Sequence, residues 1–186
     1  MIDNINVTVM GEPREVSKRT TYLELSRLYQ NRFKNPIIVA KQNGHYKELT
    51  DKIELSGEIN FFDYNEREAN RIYLNGLVYL LIYAFKELYN SNIRVKHSID
   101  KGIYIETDVF IDENKIERLK TKMHEICSLN LPIEKINVDR RDAIKYFENI
   151  NDHAKVGLMK YNTNTYVTLY KLGNMYNFFF SAIIYQ

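Results

Sequence analysis

Cysteine is nearly missing from this chain of 186 residues, tryptophan is wholly missing, and proline occurs only three times. One thiol, Cys127, leaves no internal disulfide to form and suits a reducing compartment. The longest apolar run, Leu77 to Phe85, falls far short of the roughly 20 residues that cross a bilayer. MIDNINVTV alternates like a strand and does not read as a charged-then-apolar leader. A cytoplasmic location without a membrane partner is therefore expected. Glycine is scarce as well. Gly11 is followed by EPREVSKRT, which lacks the second glycine and the Gly-Lys pair that bring backbone amides up to a phosphate. Charge of one sign is lacking too: 26 Lys and Arg against 24 Asp and Glu leave a formal +2, too mild to argue for nucleic acid by itself. His124 and Cys127 lie three apart on a helix, but a stable metal site wants three or four ligands. The other histidines, His45, His97 and His153, are scattered, so no metal is expected.

What is present is an ordinary globular balance, 45% hydrophobic and 27% charged, with fifteen tyrosines and nine phenylalanines. Aromatics in that number suit half-buried, pleated surfaces. Residues 1–64 read as one compact unit. Ile5, Val7 and Val9 alternate with polar residues as a strand, and Arg14 to Ser17 can return beside it after a turn at Gly11. Thr21 and Glu24 form a capping box, and Leu25 and Leu28 continue a helical stripe to about Phe33. Ile37 to Ala40 and Tyr46 to Leu49 are strands joined by the tight-turn pair Asn43-Gly44. Ile59 to Tyr64 is a last strand. A hairpin followed by a crossing helix and three more strands describes a β-grasp arrangement.

Residues 65–72, NEREANRI, are a charged linker or the lead into the next helix. A second unit over 73–186 opens with the apolar helix Asn75 to Tyr89. Ile93 to Ser98 and Ile103 to Val109 are strands around Asp100-Lys101-Gly102. Asp112 caps a helix carrying Ile116, Leu119, Met123 and Ile126, and Asp139 caps another over Ala143 to Ile150. Aromatic strands over Thr165 to Tyr170 and Met175 to Ile184 flank Gly173-Asn174. The fold class is α+β. The apolar stretch running to Ile184-Tyr185-Gln186 suggests that the native protein continues.

Asn75 and Tyr79 share one helix face, where a hydrolytic or metal-binding helix places a pair of histidines. The segment HSIDKGIY gathers His97, Asp100, Lys101 and Tyr104 around a strand turn. That group is either a solvated hairpin tip or a proton donor and a cation facing a cleft. No Ser/His/Asp spacing signature is present. The cations Lys115, Arg118, Lys120 and Lys122 are interleaved with Glu113, Glu117 and Glu125, as on a solvated helix face.

Two stretches then reach a family. AKQNGHYKEL through SGEINFFDY resembles a TGS domain, the β-grasp module at the N-terminus of threonyl-tRNA synthetases. LLIYAFKELY, KGIYIETDV, IERLKTKMHEI and DRRDAIKYFENINDHAKV resemble the domain that follows it there, which edits mischarged tRNA. The family's editing site uses an HxxxH pair on its first helix and a Cys-x-x-x-His pair on a late strand. The resemblance places Asn75 and Tyr79 at the two histidines, Phe179 at the cysteine and Ile183 at the late histidine. None of these four can act as a general base near neutral pH, so editing by that route is not expected. Long bacterial uridine kinase-like proteins carry the same two domains without the editing residues, and YKLGNMYNFFFSAII and HSIDKGIY look like theirs. That resemblance implies a non-catalytic accessory region, without cofactor of its own, beside a C-terminal kinase domain in cis that uses ATP and magnesium.

The degenerate pocket implied here is lined by Asn75, Tyr79, His97, Lys101, Tyr104, Phe179 and Ile183. Its expected ligand is a nucleoside or an aminoacyl-nucleoside, with weak RNA binding as a further expectation. The alternatives are an editing or tRNA-binding domain of a threonyl-tRNA synthetase-like protein, and a deacylase that uses His97 with a bound water.

Overall fold

The computed structural model describes residues 3–99 and 102–179. They form two compact units that divide between Leu80 and Leu81. In the first unit β1 (Asn4–Val9) turns back through Met10 and Gly11, both at positive φ, into antiparallel β2 (Glu12–Ser17). Thr21 caps α1 (Tyr22–Ser26): its hydroxyl accepts from Glu24 N, and the Glu24 carboxylate accepts from Thr21 N at 2.8 Å. β3 (Val39–Gln42), β4 (His45–Lys47) and β5 (Gly57–Phe62) complete a sheet in the order β2-β1-β5-β3-β4. Its central pair, β1 and β5, is parallel. Val7, Val9, Ile59 and Phe61 alternate inward from the two central strands and meet Tyr22, Leu25 and Tyr29.

The expected helix to Phe33 is corrected. The α-helix stops at Ser26, and a 3-10 turn follows at Gln30–Arg32. Leu28 N bonds Leu25 O, Tyr29 N bonds Ser26 O and Arg32 N bonds Tyr29 O, all at three-residue spacing, which tightens the chain out of α geometry. The apolar stripe also ends there, because Leu28 is 60% exposed. Gln30 then pins the exit, donating to Asn35 O and accepting from Ile37 N at 2.9 Å each.

The Asn43-Gly44 turn forms as its sequence suggests, with φ of 50° and 87°. Asn43 also reaches across to β5, donating to Ser56 O and accepting from Glu58 N at 3.1 Å each. A Cβ on Gly57 would lie 2.0 Å from Asn43 Oδ1, so glycine is required there.

Helix α2 (Arg67–Tyr89) is longer than the apolar run alone suggests, and Arg67 to Ile72 are its first turns. The Glu66 carboxylate accepts from Ala69 N at 2.8 Å as its cap. Ala69 and Ile72 pack on Ile38 and Val39 in the first unit.

In the second unit β6 (Ile93–Ile99) and β7 (Gly102–Thr107) pair as an antiparallel ribbon with a bulge between Val95 and His97. α3 (Glu113–Ser128) is capped by Asp112. β8 (Ile133–Asp139) leads straight into α4 (Arg140–Asn149), and α5 (His153–Tyr161) precedes β9 (Tyr166–Leu172) and β10 (Met175–Asn177). The sheet order is β10-β9-β8, antiparallel throughout. Val167 and Leu169 on β9 face Ala143 and Phe147 of α4 and Val156 and Met159 of α5. Complete burial of a side chain such as Phe147 contributes about 1.5–3 kcal/mol.

Two of these elements, β8 and α5, have no counterpart in the sequence reading. β8 sets only Ile136 and Val138 against the core, too short an alternation to stand out. α5 carries Gly157 and buries just Val156 and Met159, so its helical stripe is thin. The aromatic strand expected over Met175 to Ile184 is seen to Asn177, and residues after 179 lie outside the described residues.

Candidate functional site

Asn75 and Tyr79 occupy consecutive turns of α2, in its first-unit part. Helical spacing puts them on one face, and their exposures separate them. Asn75 is half-buried, whereas Tyr79 has no exposed surface. A phenol can donate and accept a hydrogen bond, and an amide such as that of Asn75 carries one acceptor and two donors. Neither an amide nor a phenol takes up a proton near neutral pH.

The other residues named from the sequence belong to the second unit or fall outside the described residues. His97 is paired by backbone register with Tyr104 across the β6–β7 ribbon, and Tyr104 is 60% exposed. Phe179 is half-buried and meets Tyr170 edge-on at 6.2 Å between ring centres. Lys101 and Ile183 lie outside the described residues.

The ribbon has its own electrostatics. Arg94 spans Glu106 at 3.1 Å and Asp108 at 2.9 Å, and Lys96 meets Glu106 at 3.0 Å. Hydrogen bonds from Lys96 and then Arg94 hold the Glu106 carboxyl below its usual range, and Arg94 does the same for Asp108. Cations so occupied are poor proton donors, and this face of the ribbon is close to self-neutralised.

Among the described residues no three His, Cys, Asp or Glu side chains converge on a metal-sized point. His124 is exposed, and Cys127 is half-buried with its thiol pushed up by burial, away from the reactive thiolate. Asp139 caps α4 and is drawn down to about 2 by its bonds from the Arg141 side chain and backbone. Lys120 and Lys122 pair with Glu117 and Glu125, as the interleaving suggests. Among the described residues, no helix is long and apolar enough to cross a membrane.

One cluster escapes sequence reasoning. Tyr29, 1% exposed, has two guanidinium groups close to its ring, Arg14 at 5.2 Å and Arg32 at 4.8 Å from the ring centre. Arg14 Nε donates to the Tyr29 hydroxyl at 2.5 Å, and Glu12 accepts from Arg32. The bond from Arg32 leads in holding the Glu12 carboxyl low. The participants are 15 to 20 residues apart, so no local spacing announces them. With its charges paired, the cluster anchors β2 to the 3-10 turn.

No family model matches the chain. It is similar to threonine–tRNA ligases. It shares 29% identity over 154 residues with that of Carboxydothermus hydrogenoformans, covering 81% of this chain and 24% of that protein. With that of Syntrophotalea carbinolica it shares 25% over 169 residues, covering 88% and 26%. With that of Clostridium kluyveri it shares 26% over 169 residues, again covering 88% and 26%. The chain thus spans about a quarter of the length of the curated relatives it matches.

Proposed function

We propose that this chain is the N-terminal, tRNA-contacting region of a threonyl-tRNA synthetase-like protein, in which the editing architecture is kept without its hydrolytic groups. The observation that carries this reading is the similarity to threonine–tRNA ligases over 81% and 88% of the chain in the first two relatives. The sheet order β2-β1-β5-β3-β4 with its parallel central pair supports a β-grasp, TGS-like unit over 1–64. The helix bearing Asn75 and Tyr79 supports an editing-like unit over 73–186. The relatives reported are ligases, so the kinase domain in cis, with its ATP, magnesium and nucleoside substrate, has no support from them and gives way to this reading.

In this role Asn75 is a binding group. Its amide suits the hydroxyls and ring nitrogens of an aminoacyl-adenosine end, and no cofactor is required. The near-neutral charge sets a low ceiling on affinity, because non-specific binding to a polyanion grows with the number of phosphates neutralised.

The test is filter binding of threonine tRNA at about 50 mM salt, run beside a deacylation assay on mischarged threonine tRNA. Weak, salt-sensitive binding is expected, reduced in Asn75→Ala, with hydrolysis no faster than in buffer. Absence of binding at that salt overturns the tRNA reading. Hydrolysis that His97→Ala or Asn75→Ala abolishes overturns the non-catalytic one.

A further inference from the structure

The β8–β9 pair of the second unit has two unlike faces. Ile136, Val138, Val167 and Leu169 join the core with α4 and α5, so the alternate residues lie on the other side. Along that side the register pairs Asp139 with Tyr166, Asn137 with Thr168 and Lys135 with Tyr170. One end is closed, where Tyr170 is buried and meets Phe179. The other end is open: Asn137 is exposed, and Tyr166 is 63% exposed.

Backbone and side-chain bonds fix the open end. Thr165 O accepts from Arg140 N at 2.9 Å, which ties the start of β9 to the start of α4. Arg141 reaches back to Asp139, its Nε and Nη2 donating to the two carboxylate oxygens at 3.1 and 3.0 Å and its backbone N donating to Oδ1 at 2.8 Å. Side chains directly opposite in an antiparallel pair are neighbours. The Asp139–Arg141 pair is therefore set next to the Tyr166 side chain.

The hydrogen-bonding groups left over are mainly donors. Both Asp139 oxygens are taken, and Asn137 Oδ1 accepts from the Thr168 hydroxyl at 2.8 Å. What remains is the Asn137 NH2 and the other N–H groups of Arg141, whose side chain is 81% exposed. Charge has the same sense: Arg141 and Lys135 stand against one carboxylate, Asp139, on this face. The flanking carboxylates Glu134, Asp142 and Glu148 are paired with Lys171, Lys145 and Lys160. The open end carries no aliphatic side chain, so an apolar peptide or a lipid has nothing to anchor it. An exposed ring among donors, with a small positive excess, suits a flat, acceptor-rich anion. That is the chemistry of a nucleotide whose base is unpaired.

We infer that the open end of the β8–β9 face binds unpaired nucleotides of an RNA strand, with a base stacked on Tyr166, its oxygens on the Asn137 amide and a phosphate on Arg141. The choice of RNA among acceptor-rich anions rests on the tRNA reading proposed above, and the two are tested apart.

The probe is a fluorescein-labelled single-stranded oligouridylate of about ten nucleotides, read by fluorescence anisotropy against the whole chain at about 50 mM salt. Binding is expected. A blunt RNA duplex of the same length, whose bases are already stacked, should bind at least about tenfold more weakly. Tyr166→Ala should weaken oligouridylate binding about tenfold or more, while Tyr166→Phe keeps the ring and the affinity. Asn137→Asp puts a carboxylate among the donors and should weaken binding by about the same factor. Arg141→Gln should lower the salt slope by about 0.7, as one phosphate contact is lost. The three positions are exposed, and circular dichroism checks that each variant folds. No oligouridylate binding at millimolar concentration overturns the inference, as does binding unchanged in folded Tyr166→Ala and Asn137→Asp. Oligoglutamate of the same length that binds as tightly, with the same dependence on Tyr166, also overturns it, because the occupant is then an acidic protein segment. If threonine tRNA binds while the oligouridylate does not, this site fails and the tRNA reading stands. Tyr166-dependent oligouridylate binding without threonine tRNA binding supports the site and overturns that reading.

Discussion

Gly173 shows how a single position can be fixed from a distance. Its φ is +58°, and a Cβ there would lie 2.4 Å from the hydroxyl oxygen of Tyr83 on α2. Gly173→Ala therefore combines backbone strain with overpacking, and a loss of roughly 2–4 kcal/mol is expected in denaturant melts. Adding Tyr83→Phe removes the nearest atom and should recover part of that loss. A melt unchanged by Gly173→Ala would reject the contact. Tyr22 makes a second prediction. It is 1% exposed and donates to Gln42, and burial, then Asp51 and Glu54, pushes its hydroxyl up to about 12. The folded value exceeds the unfolded one of about 10, so the neutral phenol is favoured by folding. That stabilisation is fully present below the unfolded value and fades as pH rises through about 12. Tyr22→Phe should cost about 1–3 kcal/mol at neutral pH by leaving Gln42 without its donor. It should also flatten the alkaline limb of the stability curve, and an unchanged limb would assign that limb to other groups. The Thr21–Glu24 box was legible because its atoms are neighbours in sequence. The needs of Gly173 were not, because Tyr83 is ninety positions away in chain order.

At the level of elements, helix α3 is the least embedded of the second unit's long helices. Ile126 is its one wholly buried residue among those described, while Ile116 is 42% exposed and Leu129, just past its end, 68%. The β6–β7 ribbon beside it in sequence leaves Val95 43% and Tyr104 60% exposed. β9, by contrast, buries Val167, Leu169, Tyr170 and Leu172. Amide hydrogens of α3 and the ribbon are therefore expected to exchange at least about tenfold faster than those of β9. Equal protection across the unit would show that α3 opens only with the global transition. The same contrast explains what the sequence disclosed. α3 was readable from its capping aspartate and four spaced apolar residues, although that stripe is only partly covered. α5, which adds Val156 and Met159 to the core, and β8, which lines it with Ile136 and Val138, have too few inward residues to declare a period.

For the whole molecule, the +2 charge and the scattered ion pairs suit the weak tRNA contact proposed above. The apolar helix α2 was visible at once, as was the placing of Asn75 and Tyr79 on one of its faces. Burial was not: nothing in the sequence distinguishes a half-exposed amide from a phenol with no exposed surface, since both lie on one helical face. That difference separates the two positions, and under the proposed tRNA contact Asn75 is the residue whose removal should change binding.

The Asn43-Gly44 turn has a chemical consequence. An asparagine before glycine is prone to attack by the following backbone nitrogen on its side-chain carbon, with loss of ammonia and formation of a succinimide. Here the amide is held at both atoms by Ser56 and Glu58, over a position that admits only glycine. The bonds that set the register between the β3–β4 turn and β5 thus also slow the ageing of the chain, and the lifetime of this asparagine is set by how often β5 lets it go.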